Sequence, residues 1–400
     1  MDIQNFSALF NTPARREAFL KLIKDNKTKH IFIQGLEGSS IALFFSNLLE
    51  HKQAHILIAN DLDEAGYLYN DLVQINGNDH ILLFPSGYKR DIKYGQPDPP
   101  SEILRTEVLN RLCQKGESLL IVTYPEAIAE KVVPVNMLSE QTLHIDKNSK
   151  CDIITLSDKL RERGFEEVDY VYEPGQFAVR GSILDVFSYT NELPYRIDFF
   201  GKEVESIRTF EVETQLSTGK LEEVYIVANV CGQETSGISI LDFIDKNTIL
   251  ICHNLSWVID RISTIASESL SEQTLIAEEG DRYAMQKIID VTAFQKKITT
   301  FRRIDYGTSS EANAPAVIRF NCAPQGVYHK NFDLVSQSFS QFIEKGYTLY
   351  ILSDSEKQIE RLQAIFEERG DSISFTPVLK TLHEGFVDND LKIGCFTDHQ

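Results

Sequence analysis

The amino-terminal third of the chain alternates between two patterns of apolar positions. Four continuous apolar runs are typical of buried strands, and segments with a helical period follow three of them. The runs lie at residues 29–34, 55–59, 80–84 and 118–122, and the helical segments at 40–48, 61–72 and 101–113. Alternation of strand and helix predicts βα units, a mostly parallel sheet and an α/β fold.

A different pattern begins near residue 172. Short runs of β-branched and aromatic residues are separated by turn signals, which predicts antiparallel hairpins after a helix near 155–163. In the run 195–200, alternation with period two separates a core face from a solvent face. The core face has Tyr195, Ile197 and Phe199, and the solvent face has Arg196, Asp198 and Phe200. A solvent-facing Phe beside Arg is typical of an interface hot spot, although isolated surface Phe residues are also common.

The remaining segments complete a prediction of three domains. Residues 218–331 are expected to return to the first sheet. Beyond them the pattern predicts a helix to residue 343, strands at 348–352 and 392–396, and a helix at 355–369 between those strands. The predicted domains are 1–133 plus 218–331, an inserted α+β domain at 134–217, and a small α/β domain at 332–400.

Composition is that of a multidomain intracellular protein. At 400 residues and 42% hydrophobic, the chain exceeds what one core usually organises, so about two to four domains are expected. The six cysteines are scattered without CxxC spacing, which argues against a metal site or a disulfide framework and predicts buried free thiols. Neither a signal sequence nor an apolar run of about 20 residues is present, so we expect a soluble, cytoplasmic protein without membrane spans.

Charge limits the possible partners. The net charge is −19, with 59 acidic and 40 basic residues, so the chain repels DNA phosphates on average and DNA binding should be weak or absent. Aromatic and basic side chains interleave only at Tyr88 to Tyr94, in the manner of a stacking platform. The prolines that follow favour an ordinary surface loop there.

The segment after the first strand stands where a phosphate-binding loop, G-x-x-x-x-G-K-[ST], would stand. That motif needs a second glycine, a lysine for the phosphates and a hydroxyl for Mg²⁺. Aligned on Gly35, those three positions are Ser40, Ile41 and Ala42. We therefore predict a degenerate loop that binds no nucleotide cofactor. It comprises Gly35, Gly38, Ser39, Ser40, Ile41 and Ala42.

A second helicase motif is also missing. Helicase-like folds place an Asp-Glu pair after an apolar strand, but the strand at 248–252 leads into His253 and Asn254. A strand-end histidine without a partner nucleophile or metal cluster is rarely a catalytic base. No catalytic or metal-binding residue is predicted.

Three segments carry a family resemblance. FAVRGSILDVF, ELPYRIDFFG and EVESIRTFEVETQLS resemble the UvrA-binding domain of the excision-repair protein UvrB, and resemble more closely that of the bacterial transcription-repair coupling factors (Mfd). The resemblance extends more weakly over nearly the whole chain. It implies a discontinuous, P-loop-NTPase-like (UvrB-like) domain with an inserted UvrA-binding domain, in which Arg180, Arg196 and Phe200 contact UvrA.

The resemblance also implies that the chain is part of a longer protein. The missing parts would bind RNA polymerase and double-stranded DNA and would contain an ATP-driven translocase. Two functions remain open at this point. The favoured one is a non-catalytic module that recruits UvrA to stalled transcription, and the alternative is a nucleotide-hydrolysing, helicase-like DNA remodelling enzyme.

Overall fold

A computed structural model describes residues 1–25, 27–88, 98–114, 116–140, 142–147, 149–189, 191, 193–228, 237–275, 288–308, 316–328 and 331–397. The loop with the interleaved aromatic and basic residues lies mostly outside these ranges. The strands are β1 His30–Gln34, β2 Ala54–Ile58, β3 Ile81–Leu83, β4 Leu119–Thr123, β5 Thr142–Asp146, β6 Glu166–Glu167, β7 Gln176–Arg180, β8 Ile183–Val186, β9 Tyr195–Phe200, β10 Glu203–Phe210, β11 Ser217–Leu221, β12 Glu223–Val227, β13 Ile249–Cys252, β14 Arg302–Gly307, β15 Ala316–Arg319, β16 Cys322–Pro324, β17 Thr348–Leu352, β18 Thr376–Val378, β19 Phe386–Asp388 and β20 Ile393–Thr397. The helices are α1 Ile3–Phe10, α2 Pro13–Lys24, α3 Ser40–Phe45, α4 Leu62–Asn76, α5 Pro99–Cys113, α6 Pro125–Ala129, α7 Val135–Glu140, α8 Ile153–Glu162, α9 Ile240–Phe243, α10 Leu255–Leu275, α11 Val291–Ile298, α12 Phe332–Glu344 and α13 Glu356–Arg369.

The first unit is built on a seven-stranded sheet in the order β15-β1-β14-β13-β2-β4-β3. All six neighbouring pairs are parallel. Its central strands are buried along their length, as expected where helices cover both faces. The predicted α/β class is confirmed. Strands from residues 30–123 and from residues 249–319 share this sheet.

The second unit is antiparallel apart from the short β6. Six strands pair in the order β11-β10-β9-β8-β7-β6, and β5 pairs with β12 in a separate ribbon. Its core packs Phe177, Ile197 and Phe199 against Leu160 of α8. Because β11 and β12 pair and pack here, the unit extends to Ala228 and not only to residue 217, the predicted boundary.

The third unit has five strands in the order β16-β19-β20-β17-β18. Pairing of β16 with β19 moves its start from the predicted residue 332 to about 322. The amino-terminal helix α1 packs against this unit, with the ring of Phe6 5.1 Å from that of Tyr350 and the ring of Phe10 5.3 Å from that of Phe386. The first and third units therefore share one core. The division into domains stays a prediction with these two boundaries moved.

The cysteines only partly match their prediction. All five in the described ranges are free, but only Cys252 and Cys395 are buried, and Cys113 is exposed. Within those ranges, no group of three or more His, Cys, Asp and Glu residues is placed to hold a metal ion. The described helices include none that is long and apolar enough to cross a membrane.

Candidate partner-binding face and nucleotide loop

Strand β9 has the two faces that its sequence predicts. Tyr195, Ile197 and Phe199 are buried, and Phe199 is only 4% exposed. Phe200, the next residue, is 79% exposed. The parity prediction is confirmed. We call the side of the six-stranded sheet that carries Arg180, Asp185, Arg196, Asp198 and Phe200 the open face.

One buried carboxylate organises the centre of the open face. Asp185 of β8 is fully buried and is opposite Arg196 in the sheet. Arg196 donates from Nε to Oδ1 at 2.7 Å and from Nη2 to Oδ2 at 2.9 Å, and Arg180 donates to the same Oδ2. A buried carboxylate needs such partners, because an unpaired charge in the interior is costly. Asp185 therefore fixes two of the three predicted contact residues side by side.

Arg196 is more enclosed than its sequence position suggests. Its side chain is only 13% exposed. Besides the two bonds to Asp185, it donates from Nη1 to the carbonyl oxygen of Gln215 at 3.0 Å and stacks over the ring of Phe210 at 4.3 Å. Hydrogen bonding to Asp185 raises the pKa of Arg196. Arg196 holds β8, β9 and the segment before β11 together, so we expect its removal to affect the fold as well as partner binding.

Arg180 and Phe200 are the accessible members of the face. The Arg180 side chain is 34% exposed, and its guanidinium lies 5.0 Å from the centre of the exposed Tyr170 ring. Phe200 ends β9 directly before the turn at Gly201, whose φ of +64° favours glycine. An accessible guanidinium, two exposed aromatic rings and a rigid sheet are a suitable surface for another protein.

Several residues of this surface were not found from the sequence. Asp185 interrupts the apolar run ILDV, and an acid in such a run could have indicated a buried ion pair. Tyr170 precedes the strands and shows no period. Arg208 and Ser206 both contact Asp198 on this face, but a register shift between Val204 and Ser206 interrupts the alternation in β10.

In the degenerate loop between β1 and α3, the Ser40 hydroxyl makes its hydrogen bonds within the loop. Gly35 and Gly38 have φ of +82° and +53°, values that favour glycine in this turn. The Ser40 hydroxyl donates to the carbonyl of Glu37 at 2.7 Å and accepts from its N–H at 2.9 Å. Ala42, in the position of the Mg²⁺ hydroxyl, is completely buried. No lysine extends from this turn.

A segment of the third unit lies directly over this loop. Ser39 donates from its hydroxyl to Asp71 Oδ2 at 2.5 Å and accepts from the N–H of Glu384 at 3.0 Å. The Ser39 N–H donates to the carbonyl of Glu384 at 3.1 Å, and the N–H of His383 donates to Asp71 Oδ1 at 2.7 Å. A Cβ on Gly38 would lie 2.6 Å from the carbonyl oxygen of Gly385. Backbone from residues 383–385 therefore packs directly against Gly38 and Ser39 of the loop.

Burial shapes the chemistry of this contact. Asp71 is mainly desolvated, which raises its pKa to about 6. His383 stacks on Tyr67 with ring centres 3.4 Å apart. At the end of β13, His253 is exposed and lies beside Gly307, and the nearby Asp305 is bonded to His30 at 2.7 Å. The bonds of Asp71 join the first unit to the segment 383–385 of the third unit.

The class of the second unit follows from comparison with known families. Residues 143–230 match the UvrB interaction domain, and this range runs from β5 to just beyond β12. Both the antiparallel sheet and its ribbon fall inside the match. The chain therefore contains a UvrB interaction domain.

Particular relatives extend the similarity over most of the chain. The chain is 20% identical over 422 residues to the transcription-repair-coupling factor of Staphylococcus epidermidis strain RP62A. This match covers 89% of the chain and 35% of that protein. The chain is 22% identical over 400 residues to the factor of Staphylococcus aureus strain MRSA252, covering 84% and 34%. The resemblance to this family is confirmed. The chain spans about a third of the length of these relatives.

Proposed function

We propose that this chain is a recruitment module that binds UvrA and so links stalled transcription to nucleotide excision repair. Its single strongest support is the pair Phe199 and Phe200 within a UvrB interaction domain: one ring fills the core, and the next, 79% exposed, lies on the same face of the sheet as the arginines. Arg180, Arg196 and Phe200 are the proposed contacts. A role in transcription-coupled repair, as the name of the relatives describes, also implies RNA polymerase and double-stranded DNA as partners of a longer protein in the bacterial cytoplasm.

We also propose that this part of the protein is not an ATPase. Ile41 and Ala42 cannot supply the lysine and the metal-binding hydroxyl that ATP-Mg²⁺ requires. The bonds of Ser39 to Glu384 and Asp71 add a second obstacle, because they cover the loop with backbone from the third unit. A nucleotide titration distinguishes this proposal from the alternative of a helicase-like enzyme.

The decisive experiment compares Phe200→Ala with Phe199→Ala in binding to purified cognate UvrA. Loss of an exposed hot-spot ring should weaken binding by about 1–3 kcal/mol, roughly 5- to 150-fold in Kd, without a change in thermal unfolding. Loss of the buried ring should instead destabilise the fold by about 3–5 kcal/mol, because it leaves a cavity in the core of the second unit.

Calorimetry measures the stability of the Phe199→Ala and Phe200→Ala variants, and surface-immobilised UvrA measures their binding. Together the two measurements distinguish the core residue from the contact residue. Normal UvrA binding by Phe200→Ala, with an unchanged melting temperature, would refute the proposed contact. ATP hydrolysis above a buffer blank that is lost when residues 38–42 are changed would instead favour the alternative of a helicase-like enzyme.

A further inference from the structure

Three cations stand next to one another across the strands of the open face. Arg196 of β9 is opposite Arg208 of β10, and Arg208 is opposite Lys220 of β11. Residues directly opposite in antiparallel strands lie on the same side of the sheet, with Cβ atoms about 4.5–5.5 Å apart. We call Arg196, Arg208 and Lys220 the basic row. Its members come from three strands, so it is invisible as a run of charge in the sequence.

Two carboxylates on the same face of the sheet pair with the arginines of this row. Asp185 holds Arg196 and is fully buried, and Asp198, only 16% exposed, is bonded by Arg208 and by the hydroxyl of Ser206. Arg208 itself is 32% exposed. Lys220 is exposed and has no carboxylate within 4.0 Å in the part of the chain that the structure describes. Three cations therefore share this part of the open face with two carboxylates, although the chain as a whole is strongly acidic.

The row places like charges opposite one another in the sheet. Like charges directly opposite in a sheet are destabilising, and here two such pairs follow one another. In addition, Arg208 Nε is buried without a hydrogen-bond partner among the described residues. Unfavourable arrangements such as like charges on paired strands, when they bring no structural gain, are typical of functional sites. An anionic ligand on the accessible part of the row would reduce the repulsion between its cations.

We propose that the basic row is the second half of the partner-binding face and that it takes carboxylates from an acidic patch on the partner. This inference rests on the proposed binding of UvrA, with Phe200 entering an apolar pocket beside that patch. Carboxylates fit better than nucleic-acid phosphates, because a row of three cations on a chain of net charge −19 gives little long-range attraction for DNA. The arginine fork can bind a carboxylate, like a phosphate, through two parallel hydrogen bonds, so the choice between them rests on the charge of the chain.

The test measures UvrA association for Arg208→Ala, Lys220→Ala and the double variant at low and high salt. Lys159→Ala is the matched control, since this exposed residue lies on α8, which packs against the opposite side of the sheet. Arg208→Ala should weaken binding about 5- to 30-fold and Lys220→Ala about 2- to 5-fold, mostly by slower association. The double variant should also lose most of the salt dependence, while the control stays within about twofold of wild type.

The outcomes distinguish this inference from the proposed function. If Phe200→Ala loses UvrA binding while the double variant keeps both affinity and salt dependence, the basic row is not a contact and only this inference is overturned. If the wild-type chain itself does not bind UvrA, the proposed function is at fault. Loss of duplex DNA binding by the double variant, with UvrA binding unchanged, would assign the row to phosphates and overturn the inference. If Arg208→Ala lowers the melting temperature of the protein, UvrA binding is compared for Arg208→Lys and Lys220→Ala instead.

Discussion

Arg196→Ala should destabilise the second unit, in contrast to Phe200→Ala. In the folded chain the Arg196 guanidinium makes two hydrogen bonds to the fully buried Asp185 and one to Gln215. Alanine removes all three and leaves the carboxylate with Arg180 as its remaining ion-pair partner on this face. The variant therefore tests whether Arg196 is a structural residue as well as a contact.

The magnitude follows from the burial of the pair. Breaking a buried ion pair by removing one partner costs about 3–5 kcal/mol. Arg180 continues to bond Asp185, which lowers the expected loss, whereas the lost stacking of Arg196 on Phe210 adds about 0.5–1 kcal/mol. We expect a decrease of about 2–3 kcal/mol in unfolding free energy. Arg180→Ala should cost only about 1 kcal/mol, since its side chain is one-third exposed.

The assay must report on the second unit itself. The single tryptophan, Trp257, lies on α10 in the first unit, so tryptophan fluorescence would miss local unfolding of the open face. Hydrogen exchange of β7 to β10 measures local opening directly, and urea unfolding followed by circular dichroism gives the global value. Asp185→Asn combined with Arg196→Ala is the matched control, because it removes the uncompensated charge.

The result that refutes this reasoning is specific. If Arg196→Ala unfolds within about 0.5 kcal/mol of wild type and β7 to β10 keep their exchange protection, Asp185 is not organised by Arg196. The double variant should be at least as stable as Arg196→Ala. A double variant that is less stable by the full sum of both changes would also contradict the buried-charge explanation.

Two further predictions concern the degenerate loop. Ile41→Lys should create no ATPase activity, because Ala42 and the segment 383–385 remain in place, and steady-state hydrolysis clearly above a buffer blank would contradict this. Burial raises the pKa of Asp71 from its ordinary 3.8 to about 6, so the folded chain binds this proton more tightly than the unfolded chain. The contribution of Asp71 to the free energy of unfolding is complete below about pH 4. As pH rises towards about 6, the free energy of unfolding falls by up to about 3 kcal/mol. Asp71→Asn should remove this part of the slope, and identical pH profiles in urea unfolding for the variant and wild type would refute the assignment.

Local features of the sequence were sufficient for several of the elements and for two features of the site. The strand at 348–352 has the bounds that its apolar run predicts, and the alternation in β9 correctly separates Phe199 from Phe200. The missing lysine at Ile41 is equally local, since a phosphate loop is a contiguous motif. Such features depend on neighbours within a few residues, where periodicity and side-chain chemistry act directly.

Tertiary structure decided what depends on distant partners. The strand β12 joins the second unit through pairing with β5, some 80 residues earlier, and its five-residue pattern does not specify that partner. Arg196 is enclosed because Asp185 is opposite it on another strand, which alternation within β9 cannot show. Contact of Ser39 with Glu384 joins segments 345 residues apart.

The basic row shows the same division within one surface. In the sequence the row is not visible as a cluster, because each strand contributes a single cation to it: Arg196, Arg208 and Lys220. Only strand order and register, with the shift after Val204, place the three side by side. The sequence by itself determined which residues could face solvent. Their combination into one positive surface required the tertiary fold, because register is set by packing of the whole core and not by any one strand.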